Sequence, residues 1–258
     1  MDKITRIFIG IFVAIPMTAG AADVDPPPKR LHVVVALCDN AHQGIVKVNA
    51  RIGNGDDLEN NLYWGCSEGL WKVFDASKDW ALVESKKASP NPDADDPWEG
   101  VKILETRTWR HTGTGAILVA EAWRGREIRG AMERFVALLA ENDADTAPDL
   151  VAWIGHNGLM DFKIAYDPSL KAAKARDAVV LCCVSHAYFG ELLADRNVRP
   201  VLTTEQLMYP GAFLLKAALD GWLRGESRPE IRERAAKAYA ANQGIGVKAA
   251  RGVFTALP

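Results

Sequence analysis

The chain has 258 residues, of which 48% are hydrophobic and 25% charged, close to the averages for soluble globular proteins. This composition excludes a mostly disordered protein and a low-complexity array, and a mean hydropathy of -0.07 argues against several membrane spans. With 31 basic and 33 acidic side chains, the formal net charge of -2 gives no electrostatic reason to expect a nucleic-acid partner.

Residues 1–22 have the three parts of a secretory signal peptide. Lys3 and Arg6 form a short basic region, an apolar run of about 14 residues follows, and Ala19-Gly20-Ala21 gives a cleavage pattern. Because a bilayer span needs ~20 apolar residues, this run is too short for a permanent anchor helix. The sequence therefore predicts a periplasmic or secreted protein without a membrane span after cleavage, in which residues 23–30 form an extended proline-containing leader.

Four cysteines, Cys38, Cys66, Cys182 and Cys183, would reach an oxidising compartment if the chain is exported. An even number permits disulfides there, although four in a chain of this length is not the density of a disulfide scaffold. A bridge between the adjacent Cys182 and Cys183 would strain the backbone. Cys38 and Cys66 are therefore the most plausible disulfide pair.

Short apolar runs rich in β-branched residues predict the strands of a buried sheet. In chain order these runs cover residues 31–37, 101–109, 116–123, 150–154, 178–182 and 200–203. A turn at Gly113-Thr114-Gly115 predicts that the second and third runs form a hairpin.

Hydrophobic spacing predicts helices over residues 63–74, 128–139 and 212–223. A last helix begins at Ser227, which has capping-box spacing to Glu230, and ends at Gly244. Strands that alternate with helices predict one α/β domain over residues 31–258, with a mainly parallel sheet flanked by helices on both faces.

The residues that follow each predicted strand are the candidates for chemistry, because sites in open α/β sheets form at the carboxyl ends of the strands. The run 31–37 is followed by Asp39, Asn40 and His42. The run 150–154 is followed by Gly155, His156, Asn157, Gly158 and Asp161, and the run 178–182 by Cys183. Imidazole and thiol groups thus reach one edge of the sheet, as a thiolate nucleophile with a nearby base requires. Amides of the turn near Gly158 can bind the developing oxyanion.

This arrangement resembles the caspase-like cysteine peptidases, a superfamily that includes caspases, metacaspases, legumains, gingipains and clostripain-like enzymes. The resemblance is carried by Ile154-Gly155-His156-Asn157-Gly158 and Val180-Leu181-Cys182-Cys183-Val184-Ser185, at the ends of two consecutive strands. It implies a caspase-like three-layer sandwich with His156 as the catalytic histidine and Cys183 as the nucleophile. Arg51 lies where caspases carry an arginine-glycine turn before their first helix.

We therefore expect an exported cysteine peptidase that acts on a peptide or protein substrate and uses no cofactor. Cys183 would attack the scissile carbonyl and His156 would protonate the leaving amine. Asp39, Arg51 and Asp161 are candidates for the substrate pocket. The alternative is a catalytically inactive periplasmic relative that binds a partner or a cell-envelope component through the same loops, and the oligomeric state stays open in both cases.

Each candidate residue also has a purely structural interpretation. His156 precedes Asn157-Gly158, a common tight-turn pair, and can simply cap the strand end by hydrogen bonding. Cys182 and Cys183 can be ordinary buried small residues, and strand alternation places them on opposite faces of the sheet. A metal site is the other chemical option, but no recognised ligand spacing occurs among Asp39, His42, His156, Asp161 and Cys183.

Overall fold

A computed structural model describes residues 27–258, which fold around one seven-stranded sheet. The predicted signal peptide and the first half of the predicted leader, residues 23–26, lie outside these residues. The strands are β1 (Arg30–Ala36), β2 (Trp80–Lys87), β3 (Ile103–His111), β4 (Ile117–Trp123), β5 (Leu150–Ile154), β6 (Arg176–Leu181) and β7 (Val198–Leu202).

The sheet order is β2-β3-β4-β1-β5-β6-β7, and the five strands from β4 to β7 are parallel to one another. The pairs β2–β3 and β3–β4 are antiparallel. The predicted hairpin is therefore confirmed as β3 and β4, and the mainly parallel sheet is confirmed as well.

The described residues form six α-helices: α1 (Leu70–Asp75), α2 (Ile128–Leu139), α3 (Ser185–Asp195), α4 (Ala212–Leu223), α5 (Arg228–Gln243) and α6 (Val247–Arg251). Helices α2 and α3 cover one face of the sheet, and α1, α4, α5 and α6 pack on the other. The result is a three-layer α/β sandwich with helices on both faces, as predicted.

Strand β1 shows why the apolar runs form the centre of this sandwich. Val33 and Val35 belong to the core beneath α4 and α5, whereas Val34 and Ala36 belong to the core beneath α2 and α3. Both faces of the strand are thus removed from water, so a continuous apolar run replaces the alternation of a half-exposed strand.

Helix α5 agrees with its sequence signal, whereas the region before α1 departs from it. Helix α5 has the predicted capping box at Ser227 and ends at Gly244 in the left-handed conformation. The predicted helix over residues 63–74 is wrong in its first half, because only α1, which begins at Leu70, is helical. The carbonyl oxygen of Asn61 there accepts hydrogen bonds from the N–H groups of Gly65 and Cys66, which form tight turns instead.

Candidate functional site

Strands β5 and β6 pair in register, so their carboxyl ends reach the same level of the sheet. Ile154 is the partner of Leu181, and His156 and Cys183 each follow two residues later. Because neighbouring strands lie about 4.8 Å apart, this register places both residues at the same edge of the sheet. The turns are also joined directly, since Asn157 Nδ2 donates a hydrogen bond of 2.8 Å to the carbonyl oxygen of Cys183.

His156 and Cys183 line the same cavity, which has a volume of about 500 Å³. Gly155 and Tyr63 also line it, and Gly155 has a φ of +135°, with the Tyr63 ring 3.1 Å from where a Cβ would stand. A side chain at Gly155 would be strained and would meet this ring. Cys182, in contrast, is fully buried in the core beneath α2 and α3, which confirms that the adjacent cysteines face opposite sides.

A carboxylate fixes the His156 ring. Its Nε2 atom lies 2.7 Å from Asp161 Oδ2, and the same oxygen accepts a 2.9 Å hydrogen bond from the backbone N–H of Gly44. An imidazole held by a carboxylate through Nε2 keeps its ring orientation and leaves Nδ1 for exchange with another group. The structure therefore places Asp161 behind the imidazole, whereas the sequence indicated it only as a pocket residue.

The chain turns sharply after Cys183. Val184 has φ of 51° and ψ of 37°, the left-handed region that a β-branched residue rarely adopts. Such a conformation costs on the order of 1–3 kcal/mol and persists only where the surroundings hold it. Here the N–H of Val184 donates to the carbonyl oxygen of Gln206, and Ser185 N–H donates to Thr204 Oγ1, each at 3.0 Å.

The segment that contains Thr204 and Gln206 also contacts the Cys183 sulfur, through Met208. Cys183 Sγ lies 3.5 Å from the backbone nitrogen of Met208 and 3.7 Å from its carbonyl oxygen. Helix α3 begins at Ser185, directly after the turn. Cys183 is thus fixed between the end of a strand, the start of a helix and the backbone of Met208.

All four cysteines are free thiols, so the expected pairing of Cys38 with Cys66 is wrong for this structure. The thiol of Cys66 donates instead to the carbonyl oxygen of Leu62 at 3.0 Å. Burial raises the pKa of Cys38 to about 11, and it also raises the pKa of Cys66 and Cys182. These three thiols stay protonated at neutral pH and are poor nucleophiles.

Asp39 and Arg51 lie apart from this cavity. The buried Asp39 follows β1, and its carboxylate accepts hydrogen bonds from the N–H groups of Ala41 and His42 and contacts His42 Nδ1 at 2.8 Å. It lines a different depression, which has a volume of about 280 Å³. Arg51 is exposed, and its Nε donates to Asn60 Oδ1 at 2.8 Å.

Gly158 begins the 3-10 turn Gly158–Met160, which Asn157 caps by accepting the N–H of Leu159. A Cβ at Gly158 would lie 2.9 Å from the Phe162 ring and 3.3 Å from Ile128 of α2. The side of Gly158 that lacks a side chain is therefore packed against these two residues. Its role in binding an oxyanion stays a prediction.

Sequence reasoning missed Tyr63 and Met208, which reach the cavity from irregular segments. Gly155, which also lines the cavity, had a weak sequence signal: it is a glycine placed between an apolar strand and a histidine.

Residues 27–258 contain neither a candidate metal cluster nor a candidate membrane-spanning helix. This part of the chain brings together no cluster of three or more His, Cys, Asp or Glu side chains suited to a metal ion. None of its helices combines the length and hydrophobicity that a bilayer crossing requires.

No protein-family model matches the sequence, and neither a curated protein nor a solved structure matches it significantly. A function must therefore be inferred from the geometry of the residues at the β5–β6 edge.

Proposed function

We propose that the protein is an exported cysteine hydrolase of the caspase-like type that cleaves peptide bonds, with Cys183 as nucleophile and His156 as general acid and base. One observation carries the proposal. Two in-register parallel strands deliver an imidazole and a thiol to one cavity, and a carboxylate holds the imidazole from behind. A nucleophile, a base and a group that orients the base are the recurring elements of covalent hydrolysis.

In this mechanism the Cys183 thiolate attacks the carbonyl carbon of the scissile amide and forms a tetrahedral intermediate. The imidazolium of His156 then gives its proton to the leaving nitrogen, the C–N bond breaks, and a thioester to Cys183 remains. His156, now neutral, takes a proton from water as that water attacks the thioester. The C–S bond breaks, the acid product leaves, and the Cys183 thiolate and His156 imidazolium are restored, so the cycle needs no co-reactant beyond water.

Asp161 is a positioning residue in this mechanism. Its bond to Nε2 stabilises the imidazolium and keeps the opposite ring nitrogen directed away from the carboxylate. Asn157 acts on the other partner, because its amide holds the carbonyl oxygen of Cys183. The strained Val184 fits such a site as well, since strain of this kind clusters where a reactive side chain must be presented.

Export is the second half of the proposal, and it is supported by the basic, apolar and small-residue pattern of residues 1–22. A secretion assay on the full chain, with Ile11→Lys in the apolar region, tests it. We expect the wild-type chain outside the cytoplasm in a shortened form, and the variant retained at full length. Equal retention of both would contradict export.

The hydrolase proposal is tested by incubating the purified chain, under reducing conditions, with a peptide mixture that contains every residue type. Mass spectrometry then identifies the cleaved bonds. We expect cleavage that is lost in Cys183→Ala, while circular dichroism shows both proteins equally folded. Cleavage that persists in Cys183→Ala contradicts the assignment. No cleavage by folded wild-type protein with a free Cys183 would favour the inactive binding protein instead.

A further inference from the structure

The cavity beside Cys183 has mainly apolar walls. Aliphatic and methionine side chains are the largest group in the lining, namely Ile45, Val46, Leu62, Met160, Leu207 and Met208. The aromatic residues Tyr63, Tyr209 and Tyr239 also line it. Its volume of about 500 Å³ lies within the ~300–1,000 Å³ typical of cavities that bind small ligands.

Three of these apolar side chains are unusually exposed. Val46 is 92% exposed, Leu207 70% and Met160 43%. They come from three separate segments of the chain, and the fold gathers them at one opening. Scattered exposed apolar residues need no explanation, but apolar residues collected around a cavity mark a binding surface.

The lining of the cavity contains no acidic, lysine or arginine side chain among the described residues, and His156 in this lining is held by Asp161. Two carboxylates lie next to the walls, and both already have protein partners: Asp161 contacts Gly44 and His156, and Glu68 accepts a hydrogen bond from Asn242. A charged side chain placed here would lose its water and find no ionised Asp, Glu, Lys or Arg side chain among the described residues of the lining, which is costly.

We propose that this cavity binds a large apolar side chain of the substrate, such as Phe, Leu or Met, on the residue whose carbonyl Cys183 attacks. The inference rests on the hydrolase function proposed above and adds the chemical class of the substrate. Burying such a side chain against the walls is favourable because it removes apolar surface from water. The site therefore selects by apolar surface, not by an ion pair.

The test uses peptide amides of a fluorescent amine that differ only in the residue before the scissile bond. Phe, Leu and Met are compared with Asp, Arg and Lys, and kcat/KM is measured for each with the full purified chain. We expect kcat/KM about 100-fold higher for the best apolar residue than for any charged one. Hydrolysis that depends on Cys183 but is fastest with a charged residue overturns the inference and leaves the hydrolase function standing.

If no substrate in either set is hydrolysed in a Cys183-dependent way, the hydrolase proposal fails and this inference falls with it. The two failures are therefore distinguishable, because failure of the apolar-subsite inference alone still leaves a measurable, thiol-dependent rate.

A variant sharpens the test. Leu207→Asp places a carboxylate at the opening, so the Phe-to-Arg ratio of kcat/KM should fall at least about tenfold, by loss on Phe and gain on Arg. The matched control is Leu82→Asp, at a 46% exposed apolar position on the edge strand β2. Its ratio should equal that of the wild type. An unchanged ratio in Leu207→Asp, or the same change in both variants, would overturn the proposed subsite.

Discussion

The ends of β1 and β5 each pair a histidine with a carboxylate, yet only the end of β5 also has a neighbouring thiol in a shared cavity. His42 Nδ1 lies 2.8 Å from Asp39 Oδ2, and His156 Nε2 lies 2.7 Å from Asp161 Oδ2. The His42 side chain is 44% exposed, whereas His156 is 7% exposed and lines a cavity with Cys183. The histidine–carboxylate contact is thus common to both regions, and the neighbouring thiol and cavity make the difference.

The two carboxylates also do different work. Asp39 accepts the N–H groups of Ala41 and His42, so its main task is to close the turn after β1. Asp161 belongs to a separate turn and reaches back to the histidine five residues earlier. We therefore expect changes at the first pair to affect stability and changes at the second pair to affect the reaction.

The largest predicted effect separates the two histidines. His156→Ala removes the acid and base of the reaction, so kcat/KM should fall about 1,000-fold with any peptide that the wild type cleaves. His42→Ala, the matched control, should stay within about twofold of the wild type because it lies outside the cavity. Steady-state kinetics measure kcat/KM for both variants. Equal losses would contradict the assignment of the reaction to the β5 end of the sheet.

The next effect separates the two carboxylates. Asp161→Asn keeps the size of the side chain but removes the negative charge that contacts His156 Nε2. We therefore expect kcat to fall about 100-fold and the pH profile to shift, with little change in KM. Asp39→Asn should lower the free energy of unfolding by about 1 kcal/mol and leave kcat per folded molecule unchanged. An Asp161→Asn enzyme with wild-type kcat and pH profile would remove its positioning role.

A smaller effect is expected when the Asp161 carboxylate is displaced without being altered. A Cβ at Gly44 would lie 2.2 Å from Asp161 Oδ1, so Gly44→Ala must move this carboxylate. We expect kcat to fall about tenfold in a protein that still folds. Gly190→Ala in α3 is the control, since its Cβ meets no heavy atom within 4 Å, and it should raise stability by about 0.5–1 kcal/mol. Unaltered kcat in Gly44→Ala would contradict this part of the account.

A third histidine–carboxylate pair, inside the sheet, provides a stability contrast. Burial alone would raise the pKa of Glu121, but His32 Nε2 at 2.8 Å, together with Arg134 and Trp123, outweighs burial and lowers that pKa from 4.5 to about 2. A lowered folded-state pKa contributes stability above pH 4.5, and this contribution is lost as the pH falls toward 2.

Glu121→Gln should therefore reduce the free energy of unfolding at pH 7 by on the order of 3 kcal/mol, and the difference from the wild type should shrink between pH 4.5 and 2. Urea titrations at several pH values measure it. A difference that does not change with pH would mean that the carboxylate charge contributes nothing.

Much of the sheet could be predicted because its central strands are buried on both faces and stand out as apolar runs. Strand β2 was missed, since its exposed edge carries charged residues such as Glu84 and Lys86, which are typical of a protected sheet edge. Helix α3 was missed because it starts directly after the strained Val184, with no side-chain cap to mark its beginning.

The site divides in the same way. The shared location of His156 and Cys183 could be predicted because the carboxyl ends of neighbouring parallel strands meet at one edge of the sheet. Val46, Tyr63 and Leu207 could not be, because they lie in irregular segments whose positions depend on contacts distant in sequence. The apolar character of the cavity therefore emerged only from the three-dimensional structure.

The most direct measurement is the rate at which iodoacetamide alkylates each cysteine at pH 7, followed by peptide mass spectrometry in the wild type, His156→Ala and His42→Ala. Cys183 should be modified far faster than the buried Cys38, this advantage should drop at least about tenfold in His156→Ala, and it should persist in His42→Ala. A Cys183 that reacts at one rate in all three proteins, or no faster than Cys38, would show that the imidazole does not activate it.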